Sequence, residues 1–339
     1  MTFNTLSEVS NTSLDTRKYQ EDPDLPLPKN KVGIEIEVES DSHELIMQAN
    51  KLTIACTVWK TEVDYSLREY STELISRPLF GLDIKDALLL MESFIKQDTQ
   101  LRFSDRTSVH IHMECIDMSP KQLSNFVLLY ITLEEVLFKF TAPHRHDNIY
   151  CLPFSLSGGL QANTKALLVH LNNNNKSATK RMLSRWPKYS SMNLSNIPNI
   201  GTIEFRALDG TADASRILTW IKILMSIKKY SLEFMEDVND IPKLVSGMSP
   251  EEYIANIMGE ELAKHFDYLE VGTDLMRGTR IAQDIIIQSN LEESSARILR
   301  KHTNPEASLA YKLYGDTLVF KETVSITDWQ VAPPSFFNT

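Results

Sequence analysis

Four short segments of this chain alternate apolar and polar residues so regularly that they restrict it to a particular kind of sheet. In Lys31–Glu39, Val32, Ile34, Ile36 and Val38 fall on one side, and Gly33, Glu35, Glu37 and Glu39 on the other. Successive side chains of a strand point to opposite faces. In Thr107–Glu114 the apolar side is Val109, Ile111 and Met113, and the other carries Ser108, His110, His112 and Glu114. Thr202–Ala207 sets Ile203, Phe205 and Ala207 against Thr202, Glu204 and Arg206. Thr72–Arg77 adds Glu73, on the face of Ile75 and Arg77. Strands of this kind predict an antiparallel sheet with one face on an apolar core and the other open to polar chemistry.

The polar side has an unusual content. Carboxylates two residues apart on a strand are about 6.6 Å apart. They repel one another unless a cation, typically magnesium among oxygen ligands, compensates them. For Lys31–Glu39 alone, a solvated outer face is the plainer reading. His-x-His on a strand is a metal or phosphate arrangement that also occurs by chance. Taken together, the four segments carry Glu, His and Arg where a solvated face carries Thr, Lys and Ser. A concave sheet with a catalytic inner face accounts for all four at once.

The rest of the chain supplies helices and linkers. Residues 1–30 are polar, with Pro23, Pro26 and Pro28, and read as an extended or mobile arm. Val58–Glu62 and Met192–Leu194 are further strand candidates. Helices are expected at His43–Lys51, Leu82–Lys96, Leu160–Leu171 and Asp213–Met235. Ser119 followed by Pro120 opens a long helix through Phe140. That stretch holds Glu134 and Glu135, which makes it a core helix rather than a membrane span. Beyond about Pro242 the segments 249–258, 260–269, 273–289, 291–301 and 305–314 look helical, and Trp329–Thr339 reads as a tail. The expected domains are thus 1–30, a catalytic domain over 31–240, and a helical extension packed on it over 241–339.

Charge narrows the function. Thirty-five Lys and Arg stand against 45 Asp and Glu, for a net charge of −10. This argues against broad nucleic-acid or anionic-membrane binding. No Asp or Glu occurs between Asn148 and Ile203, where about seven would be expected at the chain average. Lys165, Lys176, Lys180, Arg181, Arg185 and Lys188 give that stretch +6 and leave the remainder at −16. It is either a basic surface loop beside Asn172–Asn175 or a local anion site. Cys56, Cys115 and Cys151 are widely spaced and form no CxxC pair, so a reduced, cytoplasmic protein is expected. The first 30 residues show no signal-peptide pattern.

In order along the chain stand Gly33-x-Glu35-x-Glu37, Trp59, Asp64-x-Ser66, Glu73-Leu74-x-Ser76-x-Pro78 and His110-x-His112. Then come Arg145, Asn148-x-Tyr150-Cys151-x-Pro153, Tyr189, Asn193, Glu204-Phe205-Arg206 and Gly210-Thr211. This series resembles the amidoligase family of glutamine-synthetase-like enzymes, relatives of the glutamate–cysteine ligases, from about Lys31 to Tyr230. The resemblance implies an α+β fold, a curved antiparallel sheet whose concave face binds ATP and magnesium, with helices packed behind. It implies an ATP-dependent C–N ligase: ATP phosphorylates a substrate carboxylate, and an amine displaces phosphate from the acyl phosphate. Glu35, Glu37, Glu73 and Glu204 would be metal ligands. Asp64 would sit near the amine or a metal, with Glu73 and Arg206 also catalytic and Arg206 neutralising the phosphoryl group. His110 or His112, with His112 favoured, would contact nucleotide phosphate, as would Arg145, Lys180, Arg181 and Arg185. Substrates would be small-molecule, peptide or protein carboxylates and amines.

The sequence departs from the family at Tyr65, where relatives often have Gly, and at Thr107-Ser108, where they often have a pair such as Cys-Gly. Two other readings stand beside the ligase. One is a non-catalytic structural or interaction protein that keeps the fold. The other is a metal-dependent hydrolase using His-x-His, against which the abundance of Glu favours magnesium over zinc.

Overall fold

Each alternating segment forms a strand with its apolar side buried. The computed structural model describes residues 2–12, 20–40, 57–63, 67, 70–97, 101–234, 238–266 and 268–301. The strands are β1 (Val32–Glu39), β2 (Trp59–Glu62), β3 (Ser71–Ser76), β4 (Val109–Glu114), β5 (Met192–Asn193) and β6 (Thr202–Phe205). They form one six-stranded sheet in the order β2-β3-β1-β4-β6-β5, and every neighbouring pair is antiparallel. Val32, Ile34, Ile36 and Val38 of β1 join Leu74, Val109, Ile111, Ile203 and Phe205 in the core.

The helices of the described residues pack on the sheet and on one another. They are α1 (Gly81–Gln97), α2 (Pro120–Lys139), α3 (Gly158–Asn172), α4 (Lys176–Ser184), the single turn α5 (Ile197–Ile200) and α6 (Ala214–Glu233). After them come α7 (Ile241–Ser246), α8 (Pro250–Met258), α9 (Glu260–Ala263) and α10 (Tyr268–Lys301). The fold is therefore α+β, as the sequence predicts. Ser119 caps α2 in a capping box with Gln122, and Pro120 takes the first helical position, whose N–H has no partner to lose. The rings of Phe126 and Tyr130 on α2 lie 6.0 and 5.6 Å from Phe205, which seats α2 under β6. On α6, the ammonium of Lys228 is fully buried and donates to Asn30 Oδ1 at 2.5 Å, Glu114 O at 2.7 Å and Asp117 Oδ1 at 2.9 Å. This ties the helix layer to the ends of β1 and β4.

The structure differs from the sequence reading in places. Lys176–Ser184 is helical rather than a basic loop, because the Asn175 side chain caps it by accepting from Ala178 N at 3.2 Å. The predicted segments 273–289 and 291–301 form one helix, α10. In the first 30 residues, read as an arm, Phe3, Leu6, Val9 and Leu25 belong to the core. There Leu6 N and Ser7 N donate to Met118 O and Ile116 O at 2.8 and 2.9 Å. The predicted helices at His43–Lys51 and 305–314, the tail Trp329–Thr339 and Cys56 lie outside the described residues. The chain divides into two compact units, 1–289 and 290–339. No helix of the described residues is long and apolar enough to cross a membrane.

Candidate active site

The strand register decides which polar side chains meet. Glu35 of β1 lies opposite His110 of β4, and Gly33 opposite His112. His112 in turn faces Glu204 of β6, and Glu204 faces Asn193 of β5. On the other side of β1, Glu37 pairs with Glu73, and Glu73 with Glu62 of β2. Residues more than 100 positions apart in the chain thus share one face. That face is not solvated: Glu37 and His110 are each 2% exposed and Glu204 3%. Carboxylates are not left this dry without partners.

The partners are present. Glu35 Oε2 is 3.1 Å from His110 Nδ1, and Glu35 Oε1 is 3.0 Å from His112 Nε2. The second contact is an ion pair whenever His112 is protonated. Its other ring nitrogen, Nδ1, lies 3.1 Å from Thr202 Oγ1. Asn193 and Asn196 both donate to Glu204 Oε2, at 2.7 and 2.8 Å, while Glu204 Oε1 pairs with Arg206 Nη1. Arg206 Nε donates to Tyr150 O at 3.0 Å, and its guanidinium lies 5.6 Å from the centre of the Tyr189 ring. Glu37 is held chiefly by Ser108, whose N and Oγ both donate to its Oε2 at 2.7 Å, and its Oε1 lies 3.6 Å from His110 Nε2.

These contacts shift the titrations. Burial opposes ionisation of Glu35, but hydrogen bonds and charge from His110 and His112 outweigh it and hold its pKa far below the carboxylate range. Burial likewise opposes the charged form of His112, yet Glu35 raises its pKa above the ordinary value. Glu204 is lowered against its burial by His110, Arg206 and His112. Arg206 is raised against burial by Glu204.

Among the described residues, two groups of donor atoms lie close enough to hold a metal ion: Glu35, Glu73 and His110; and Glu35, His112 and Glu204, with all atoms of a group within 4.8 Å of one another. Glu35 belongs to both. Carboxylate oxygens suit magnesium or manganese, and imidazole nitrogens suit divalent transition metals. Neutral His112, whose Nε2 lies 3.0 Å from Glu35 Oε1, would offer that nitrogen as a ligand atom. The donor set therefore fits a pair of divalent cations. These groups open into a cleft of about 740 Å³ that is also lined by Glu62, Val63, Tyr150, Lys188, Tyr189, Asn196, Ile200 and Arg206. A smaller, mostly apolar recess of about 240 Å³ adjoins it over Gly33, Ile75, Pro78 and Thr202.

Of the sequence-predicted site residues, Glu35, Glu73, His110, His112, Glu204 and Arg206 come together in the cleft. Glu37 sits beside it, held by Ser108. Asp64 lies outside the described residues. Arg145 is buried behind the wall, donating to Arg206 O at 2.6 Å and Ala207 O at 3.4 Å. Lys180, Arg181 and Arg185 belong to α4 and its C-terminal cap and do not line the cleft. The cation from the acid-free stretch that does line it is Lys188. Sequence reasoning passed over Glu62, Asn196 and the role of Ser108 as the partner of Glu37. Ser108 was legible as the residue two before His110 on the same face. Glu62 acquires significance only from its register opposite Glu73.

Residues 12–228 match the model of a family described as "Putative amidoligase enzyme". Nineteen solved chains resemble this one. One is in the crystal structure of the complex between prokaryotic ubiquitin-like protein Pup and its ligase PafA. That match has 12% identity and a TM-score of 0.31, and covers 80% of this chain but only 65% of the other. No curated protein matches.

Proposed function

The chain belongs to the amidoligase family, and from that premise we propose that it is an ATP- and magnesium-dependent carboxylate–amine ligase on a glutamine-synthetase-like sheet. The observation that carries this reading is the buried carboxylate–imidazole cluster shared through Glu35. Glu35, Glu73 and His110 would hold one divalent cation, and Glu35, His112 and Glu204 a second. Bound there, such ions neutralise and orient phosphate oxygens.

The reaction has two steps. A substrate carboxylate oxygen attacks the γ-phosphorus of ATP and ADP leaves, giving an acyl phosphate. An amine nitrogen then attacks the carbonyl carbon, phosphate departs, and the nitrogen loses a proton as the amide forms. Phosphoryl transfer demands positioning and charge neutralisation above all. Arg206 would serve the second task. Its guanidinium has five N–H donors, and Tyr150 O and Glu204 leave some of them for an anionic oxygen. The amine must be neutral to attack, so a carboxylate has to take its proton. Glu62, half exposed at the cleft edge in register with Glu73 and ion-paired with Lys60, would serve this, and Asp64 follows it in the chain.

The test is magnesium-dependent ATP turnover by purified protein with panels of carboxylates and amines. ADP and phosphate that appear only when both co-substrates are present support the ligase. Absence of nucleotide binding by calorimetry, with magnesium present, sinks it.

A further inference from the structure

One buried carboxyl outside the cleft reaches both chain segments that hold Arg206. Glu134 of α2 is 1% exposed. Its Oε2 accepts from Phe154 N at 2.7 Å, and its Oε1 is hydrogen-bonded to Ser191 Oγ. The segments around Phe154 and Ser191 also pair with each other: Leu152 N donates to Tyr189 O at 2.7 Å and Ser191 N to Leu152 O at 3.0 Å. From this double strap come the two carbonyls that fix Arg206. Tyr150 O takes its Nε at 3.0 Å, and Ser191 O takes its backbone N–H at 2.9 Å. The strap also presents Tyr150 and Tyr189 to the cleft.

We propose that Glu134 is a positioning residue for Arg206, acting through the Tyr150–Phe154 and Tyr189–Ser191 segments rather than by touching substrate. The catalytic part of this proposal rests on Arg206 acting in the cleft as described above.

The protonation state of the clamp matters. Burial pushes the Glu134 carboxyl up to about 8, against the hydrogen bonds from Ser191 and Phe154 and with a further push from Glu135 on its own helix. The other titratable groups facing it are Tyr130 on α2 and Cys151 in the strap. Burial holds the Cys151 thiol up at about 11 and the Tyr130 phenol well above its ordinary value. Glu134 is thus the member of this group that ionises between pH 7 and 9. When neutral, it donates to Ser191 Oγ and accepts from Phe154 N. When ionised, it only accepts, and the Ser191 hydroxyl must turn to donate. The segment anchoring Arg206 therefore changes its hydrogen bonding as Glu134 loses its proton.

Trp186 reports on that segment, because its indole N–H donates to Ser190 Oγ at 3.1 Å and Met192 O at 3.0 Å. In full-length protein labelled with ¹⁵N-tryptophan, the Trp186 indole resonance, assigned by Trp186→Phe, should titrate with a midpoint near 8. In Glu134→Gln, whose amide keeps one donor and one acceptor, it should not move. In ATP turnover, the wild-type rate should fall as the pH rises through about 8, and Glu134→Gln should not show that fall. Glu134→Ala should lose at least about tenfold in kcat while the nucleotide KM changes less than about threefold, the mark of an interaction made in the transition state. A static Trp186 resonance in the wild type, or a wild-type kcat in Glu134→Ala, overturns the proposal. A titrating Trp186 in a protein without ATP turnover supports the clamp and sinks the ligase reading instead.

Discussion

Replacing Glu35 with Gln keeps its shape and removes the one charge common to both candidate metal groups. Its oxygens lie 3.1 Å from His110 Nδ1 and 3.0 Å from His112 Nε2. At that range a unit charge pair is worth roughly 5 kcal/mol at an effective dielectric constant of 20. Two effects follow. His112, raised mainly by Glu35 against its burial, titrates lower in the variant. Divalent-cation affinity falls at both groups at once. Loss of a merely supporting residue costs a metal about 10–100-fold, so a shared ligand should cost about 100-fold or more, roughly 2.8 kcal/mol. The assay is calorimetric titration with manganese and magnesium at pH 7.5, with circular dichroism as the control for folding. Glu37→Gln is the comparison, because Ser108 already occupies one of its oxygens twice. It should lose no more than about tenfold, as a supporting residue does. Affinity within threefold of wild type in Glu35→Gln, with a large loss in Glu37→Gln, would refute the assignment of Glu35 as the shared ligand. The same substitution has a stability signature. The folded pKa of Glu35 lies below its unfolded value near 4.5, so Glu35 stabilises the fold above that pH, and this is lost as pH falls through the folded pKa. In metal-free melts the two proteins should differ most at neutral pH and converge in acid.

Other consequences are as concrete. Arg206→Lys keeps a charge but loses the planar fork that reaches Tyr150 O and Glu204 together, so kcat should fall about 100-fold or more with the fold intact; a wild-type rate would remove Arg206 from the chemistry. Gly278→Ala should destabilise by about 1–3 kcal/mol, because a Cβ there would lie 2.5 Å from the carbonyl oxygens of Ile131 and Thr132 on α2; unchanged denaturant midpoints would mean the helices separate freely. Lys228→Met removes a fully buried ammonium from three acceptors and should cost about 3 kcal/mol, read from the same unfolding curves, with no loss meaning that water replaces it.

Much of the site was legible because alternation along a strand assigns each side chain its face from neighbouring residues alone. Glu35, Glu73, His110, His112, Glu204 and Arg206 all sit on the face their strand pattern dictates. The N-terminus of α2 was legible for an equally local reason, since Ser119 and Pro120 act on their own next turn. Other features depend on what lies across the space between elements. Glu62 matters only because β2 pairs with β3 in a register that places it beside Glu73. Lys180, Arg181 and Arg185 look like phosphate ligands in a run of positive charge, but Asn175 caps that run into a helix away from the cleft, leaving Lys188 at its wall. Glu134 and Glu135 mark a helix as non-membrane. Nothing local distinguishes Glu134, which reaches the segments behind Arg206, from Glu135, which pairs with His146 and Arg277.

The sequence by itself determined the class of sheet, the chemistry of its two faces and the family, because strand periodicity and motif order are local properties written along the chain. Tertiary structure alone decided the order β2-β3-β1-β4-β6-β5, and with it that Glu35 lies between two histidines while Glu37, two residues away on the same face, is taken by Ser108. A strand pattern fixes which way a side chain points. Which other side chain it meets is set by the pairing partner and the register, and these follow from the long-range packing of the apolar face against α2 and α6.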